Sequence, residues 1–326
     1  MESYRCLKIL TNRSREFEQR MPELLFLPGW LPLYSKRQRK IVLDAFEHYF
    51  AHNYHKTGSA LVTEFYDTEQ RYGFDHRDSA AFHAGTAIAL LSNTSAAVFW
   101  MIFYVFSTPE ALHAIRDELA RVVTTKGEGK TKTHHIDFTK VDVECPTLVS
   151  TFSEALRVRS IGTSLRKVVK DTIVGNEYLL RKGSFVLMPT PAIHTDARVW
   201  GEDVEEFRYD RFVKSKVSRA AFRSFGGGST LCPGRHFATL EVMAWTIMLV
   251  LRYDITPADG QAWEAPPTEK TNMATVITTP DYDIDVELSN RQGSYQDGSW
   301  EYQLSDSEAA FAITDEDWLG MEDKRP

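Results

Sequence analysis

The part of this chain best suited to chemistry is Phe225-Gly-Gly-Gly-Ser-Thr-Leu-Cys232-Pro-Gly234, which leads into an apolar run reaching about Arg252. The residue order predicts Cys232 at a helix N-cap and Pro233 at the first helical position, where a missing N–H costs nothing. The positive end of such a helix, with free N–H groups around the sulfur, favours a thiolate, the form of cysteine that ligates metals. Gly228 and Gly234 let the backbone approach a planar group closely or adopt positive φ. Phe225 is placed to pack beside that group and shield the sulfur. The bland alternative is a Gly-rich turn before an ordinary buried helix, with an inert cysteine.

Three further constellations accompany the loop. Glu154-Ala-Leu-Arg157 sets a carboxylate and a guanidinium at i, i+3, within reach of each other on one face of a predicted helix. Alone, such a pair reads as a solvated contact worth little. Phe207-Arg-Tyr-Asp-Arg211-Phe212 adds a further arginine upstream of the cysteine. Asn93 and Thr94 bring an amide and a hydroxyl into the middle of a long apolar run. An amide can orient water but cannot titrate, and the bland reading of both is back-bonding within a helix.

In this order the segments resemble the cytochrome P450 family. Phe225–Gly234 is similar to its F-x-x-G-x-x-x-C-x-G haem-thiolate loop, and Phe207–Phe212 to its aromatic-x-P-x-R-F segment, with Tyr209 where proline is usual. The resemblance implies that Cys232 is the axial ligand of the iron of haem b (iron protoporphyrin IX), with Phe225, Gly228 and Gly234 around the cofactor. A thiolate so held pushes electron density toward O–O cleavage. It also implies that Glu154, Arg157 and Arg211 form a structural triad behind the haem, which orders its surroundings while removal of one member strands a charge. Thr94 and Asn93 stand where the family carries the acid–alcohol pair of its oxygen side, with Asn93 at the acid position. The string Asn93-Thr94-x-x-Ala97-x-Phe99-Trp100 resembles the branch that holds the sterol hydroxylases of bile-acid synthesis, with prostacyclin synthase nearby. Retention of Thr94 favours oxygen activation over peroxide rearrangement. Thr230 replaces the usual Arg or His two residues before the cysteine. Arg166 resembles the family's propionate arginine, with His194 a weaker candidate; Ile161–Ser164 and Asn272–Val276 stand where the family lines its substrate pocket.

Several elements must position these groups. The run Ala87–Phe106 is long enough to span a bilayer, but Ser92–Ser95 interrupts it and no Lys or Arg cluster flanks it. It reads as the core helix of a large domain, with a second helix starting at Pro109. Lys36–Lys40 opens a helix through Phe50 whose basic run is a solvated face. Tyr253–Thr256 and Ala274–Leu288 read as strands, the first stopped by Pro257 and the second with Ile284, Val286 and Leu288 on one face. Thr124–His135, although it contains His134-His135, reads as a loop rather than a metal site.

Of the 326 residues, 43% are hydrophobic and 25% charged, enough for a sizeable core. The net charge of −7 gives no reason to expect a nucleic-acid partner. Three cysteines (Cys6, Cys145 and Cys232) suit a reducing compartment and exclude a disulfide framework. Residues 1–20 lack the apolar core of a signal peptide. The expected fold is mainly α with a small β portion, the cytochrome P450 fold lacking its N-terminal part. Residues 1–290 are its catalytic region, from the F helix onward, and 291–326 an acidic, flexible tail. The resemblance implies that roughly 200 residues of a full-length member are not represented. It implies a monooxygenase that hydroxylates an apolar small molecule such as a sterol, terpenoid or polyketide intermediate. Dioxygen and electrons from an NADPH-cytochrome reductase would be needed. The chain is expected on the cytoplasmic side without a transmembrane segment, with an endoplasmic-reticulum anchor only in a longer form. Two alternatives stay open: an isomerase or dehydratase of lipid hydroperoxides, and a truncated, catalytically inactive remnant.

Overall fold

A computed structural model describes residues 16–214, 219–272, 274–291, 295 and 298–303. The chain divides into two units, residues 1–93 with 272–274 and residues 94–271 with 275–326.

In the first unit, α1 (Met21–Phe26), α2 (Leu33–Ala51) and α3 (Ala60–Arg71) accompany the start of α4 (His76–Ser107). Local signals set the ends. The Ser59 hydroxyl accepts from Val62 N to cap α3, and the Asp75 carboxylate accepts from Arg77 N and Asp78 N, both at 2.8 Å, before α4. Val42, Leu43 and Ala84 are buried together, with Phe46 and Ile88 against them. A second cluster stacks Phe50 on Tyr66 at 4.8 Å beside His55 and His83.

The second unit holds the rest of α4, then α5 (Pro109–Val122), β1 (Val123–Lys126), β2 (Thr133–Asp137), α6 (Phe138–Glu144) and α7 (Pro146–Arg159). Four strands and three short helices follow: β3 (Thr163–Lys167), β4 (Thr172–Val174), β5 (Tyr178–Leu180), β6 (Phe185–Pro189), α8 (Thr190–His194), α9 (Ala197–Trp200) and α10 (Arg211–Lys214). The series ends with α11 (Arg235–Arg252), β7 (Tyr253–Pro257), β8 (Val286–Asn290) and β9 (Ser299–Gln303). The elements are mainly helical with small sheets, as expected.

Helix α4 is unbroken at Ser92–Ser95. By length and composition it is apolar enough to cross a membrane, and its end enters the core of the second unit. There Trp100, Met101 and Val105 are buried with Ile115, Leu119, Leu148, Met243 and Ile247. Trp100 Nε1 donates to the Thr278 carbonyl at 2.7 Å, and the Arg159 guanidinium lies 3.5 Å over its ring. Pro109 opens α5 at its first position, as predicted. The N-terminus of α7 has no side-chain cap of its own. Instead the buried Glu118 accepts from Thr147 N at 2.8 Å and Leu148 N at 3.2 Å.

Three expectations change here. The stretch Thr124–His135 is not a loop: β1 pairs antiparallel with β2, and β9 joins β2 in parallel. Residues 299–303 therefore form a strand inside the stretch read as a flexible tail. Its Trp300 covers the buried His134, and burial of those rings outweighs the polar composition around them. Residues 304–326 lie outside the described residues. The second predicted strand shrinks to Val286–Asn290, which pairs with β7 alone. Val286 and Leu288 stay 39% and 51% exposed, so their alternation does not mark a core face. Pro257 is the last residue of β7, opposite Val286.

Candidate functional site

The groups around the cysteine loop lie in the second unit and start from a buried carboxylate. Glu154, fully buried on α7, receives both nitrogens of the Arg157 fork, Nε at 2.7 Å and Nη2 at 2.8 Å. Arg211, at the start of α10, donates Nε to the same carboxylate at 2.8 Å, and Arg208 N adds a fourth bond at 3.1 Å. Both guanidinia are 2% exposed or less. Spacing allowed a surface pair; the fold instead buries it and satisfies it. Arg211 also donates to Asp203 at 2.8 Å and to three backbone carbonyls. Hydrogen bonds from Arg211 and Arg208 hold the Asp203 carboxyl down at about 2.

The cysteine loop follows. Gly226 and Gly228 adopt φ of +78° and +60°, the left-handed region that glycine enters without a Cβ penalty. Gly228 thus meets the expectation of positive φ. Gly234 has a φ of −85°, which leaves close approach as the role given to it, and a Cβ there would sit 3.9 Å from Cys232 Sγ. Cys232 N donates to the Phe225 carbonyl at 2.9 Å, closing the loop, while the Phe225 ring packs against the core. The helix begins at Arg235 with Gly234 as its N-cap, so Cys232 lies in the preceding turn rather than at the cap. The turn closes when Arg235 N donates to the Cys232 carbonyl at 3.4 Å, which places two residues between sulfur and helix.

Arg166, on β3, reaches this loop. Its Nη2 donates to the Thr230 hydroxyl and to the Gly227 carbonyl at 3.3 Å. His194 does not offer itself to a carboxylate, because both ring nitrogens are engaged. Nδ1 lies 2.9 Å from the Arg157 carbonyl, and Nε2 accepts from Arg223 N at 2.9 Å. Burial pushes its pKa down to about 4. His194 and Arg223 were the site residues that sequence reasoning missed in these roles, and no spacing or propensity signals them.

On α4, Thr94 is 8% exposed. The hydroxyls of Thr151 and Thr246 bond back to carbonyls four residues earlier, at 2.7 and 2.8 Å. Among the described residues the Thr94 hydroxyl makes no such bond, which removes the back-bonding reading for it. Asn93 precedes it on the same helix and is half-buried. Ile161 N donates to the Val276 carbonyl at 2.8 Å, and Gly162 packs on Val276. Two of the stretches read as pocket lining therefore meet at Val276; Met273 lies outside the described residues.

The residues present fit a haem. Among the described residues no group of three or more His, Cys, Asp or Glu side chains could hold a bare metal ion. A lone half-buried thiol is the donor set wanted by a macrocycle that brings its own four nitrogens. Around it, a Cβ added at Gly228 would meet nothing within 4 Å, leaving open space beside the loop, and Arg166 supplies a cation at its edge. The other described cysteine, Cys145, is buried and its thiol is pushed up to about 12 by burial.

Comparison with known proteins finds a matching family model and relatives. The family model described as Cytochrome P450 matches residues 4–286. The chain is 32% identical over 299 residues to "Cytochrome P450 monooxygenase nodJ" of Hypoxylon pulicicidum, covering 87% of this chain and 58% of that protein. It is 33% identical over 217 residues to "Cytochrome P450 7B1" of Mus musculus, covering 62% of this chain and 43% of that protein. To "25-hydroxycholesterol 7-alpha-hydroxylase" of Rattus norvegicus it is 32% identical over 203 residues, covering 58% and 49%. The chain spans about half the length of the curated relatives it matches.

Proposed function

The chain belongs to the cytochrome P450 family, and on that premise we propose that it binds haem b through Cys232 and hydroxylates an apolar small molecule. The observation that carries this reading is the half-buried thiol on a positive-φ glycine turn, backed by a buried ion triad. Haem bound there would supply dioxygen activation, with electrons from an NADPH-dependent reductase. The chain's own residues have separate tasks. Cys232 donates its thiolate, and the triad holds the loop segment in register. Arg166 takes a propionate carboxylate of the cofactor. Thr94, with a hydroxyl not spent on its own helix, holds a proton on the oxygen side, and Asn93 orients water without titrating. A hydroxyl in this position favours hydroxylation over rearrangement of a peroxide. The substrate class is a sterol or a similarly apolar terpenoid or polyketide intermediate, since sterol hydroxylases occur among the relatives.

The test is the carbon-monoxide difference spectrum of the haem-loaded, reduced chain beside Cys232→Ala. A red-shifted Soret band in the unaltered chain, absent from the variant, supports the assignment. A variant that keeps the band removes Cys232 as the ligand, and no band in either makes these residues insufficient for the site.

A further inference from the structure

Between the ion triad and the cysteine loop runs a chain of contacts that neither motif contains. Residues 157 and 194 exchange two hydrogen bonds: Arg157 Nη1 donates to the His194 carbonyl at 2.8 Å, and His194 Nδ1 lies 2.9 Å from the Arg157 carbonyl. Because Arg223 N can only donate, His194 Nε2 must be the bare nitrogen that accepts it at 2.9 Å. The proton therefore sits on Nδ1 and points at the Arg157 carbonyl, which fixes a neutral tautomer. The ring is 1% exposed, stacked on Phe222 at 5.7 Å and 6°, with Trp200 edge-on at 5.8 Å.

Arg223 carries the contact onward. Its carbonyl accepts from Gly226 N at 2.9 Å. Its guanidinium covers Gly227, where an added Cβ would fall on the guanidinium itself. Arg166 holds the same residue from its carbonyl. At Phe225, two residues after Arg223, the loop closes as its carbonyl accepts from Cys232 N. Neither Arg166 nor Arg223 pairs with a protein carboxylate among the described residues, and both meet the loop at Gly227.

We propose that His194, as a neutral imidazole, is the positioning residue that latches the cysteine loop to the buried triad, with Arg223 as the plate that transmits the contact to Gly227. The latch is a property of the protein alone. Its consequence for thiolate ligation rests on the haem-thiolate reading above.

The distinguishing variants differ in whether an acceptor for Arg223 N remains. His194→Gln keeps an acceptor near Nε2 and can still receive Arg223 N; His194→Phe keeps the stack on Phe222 and loses both bonds. Amide hydrogen exchange on the haem-free chain reads the loop directly, with α7 and α11 as internal references. In His194→Phe, exchange at Gly226 and Cys232 should quicken about tenfold or more, the effect of leaving a buried donor unsatisfied, while α11 keeps its protection. His194→Gln should restore most of it. In the haem-loaded chain, His194→Phe should shift the carbon-monoxide Soret band toward the shorter-wavelength form, and His194→Gln should shift it back.

Loop exchange in His194→Phe equal to the unaltered chain overturns the latch, and so does His194→Gln behaving like His194→Phe. If His194→Phe loses protection in α7 and α11 as well, Arg223→Ala, which leaves the ring in place, decides: a protected loop there overturns the proposal, and a loosened one supports it. Failure of the unaltered chain to bind haem would sink the haem-thiolate reading, while the exchange result still judges the latch.

Discussion

Removing the Glu154 carboxylate is the sharpest test of how the site is held. The residue is fully buried and accepts four hydrogen bonds, three of them from guanidinia. In Glu154→Leu the two arginines are left unequally. Arg211 keeps Asp203 at 2.8 Å and the carbonyls of Trp200, Asp203 and Glu206. Arg157 keeps the carbonyls of His194 and Glu206, at 2.8 and 3.3 Å, and the Trp200 ring 5.2 Å away, and becomes a buried cation without a counter-ion. Breaking a buried pair this way costs about 3–5 kcal/mol. For a unit of this size each kcal/mol moves the midpoint by roughly 2–4 °C, so thermal unfolding should start about 6–20 °C lower. Tryptophan fluorescence suits the assay because, among the described residues, every tryptophan except Trp30 falls in the second unit. The triple variant Glu154→Leu, Arg157→Met, Arg211→Met removes the charges together. It should lose less than the single variant, because apolar replacement of a whole buried ion cluster is often neutral. A single variant that costs under about 1 kcal/mol, or a triple that is worse than the single, would refute this reasoning.

Other outcomes follow from the same geometry. His194 has a folded pKa of about 4, below its unfolded value of about 6.5. Between these only the unfolded chain binds the proton, so the stability is present above pH 6.5 and is lost as pH falls toward 4, by about 3 kcal/mol. Urea midpoints should show a slope in this window that falls by the His194 share in His194→Gln, the remainder belonging to groups such as His83, which burial also pushes down to about 4; an unchanged slope in the variant would assign it elsewhere. In a Cys6→Ser chain without haem, iodoacetamide should label Cys232 and spare Cys145, whose thiol is pushed up to about 12; peptide mapping that finds Cys145 labelled first contradicts the burial assignment. Gly228→Ala should cost about 1–2 kcal/mol for its positive φ alone, since its Cβ meets open space. Gly227→Ala should act differently, displacing Arg223 and raising the alkylation rate of Cys232 at little cost in melting temperature.

What the sequence determined by itself was local. The glycine turn before Cys232, the i, i+3 pair on α7 and the Pro109 start of α5 each follow from interactions within a few residues of chain, where spacing maps onto geometry. The long apolar run of α4 was legible for the same reason. Tertiary structure decided everything that depends on burial or on distant partners. Whether Glu154 and Arg157 were a weak solvated contact or a buried ion cluster turned on Arg211, 57 positions away, arriving at the same carboxylate. The strand Ser299–Gln303 exists because it pairs with β2, 166 positions back, and its own polar composition argued for a tail. His194 was legible only as a candidate for another role: its tautomer and its contacts are set by a carbonyl on α7 and an N–H before the cysteine loop. Spacing encodes what the chain does with its near neighbours; the free energy of burying a polar group is settled by whichever distant partner satisfies it.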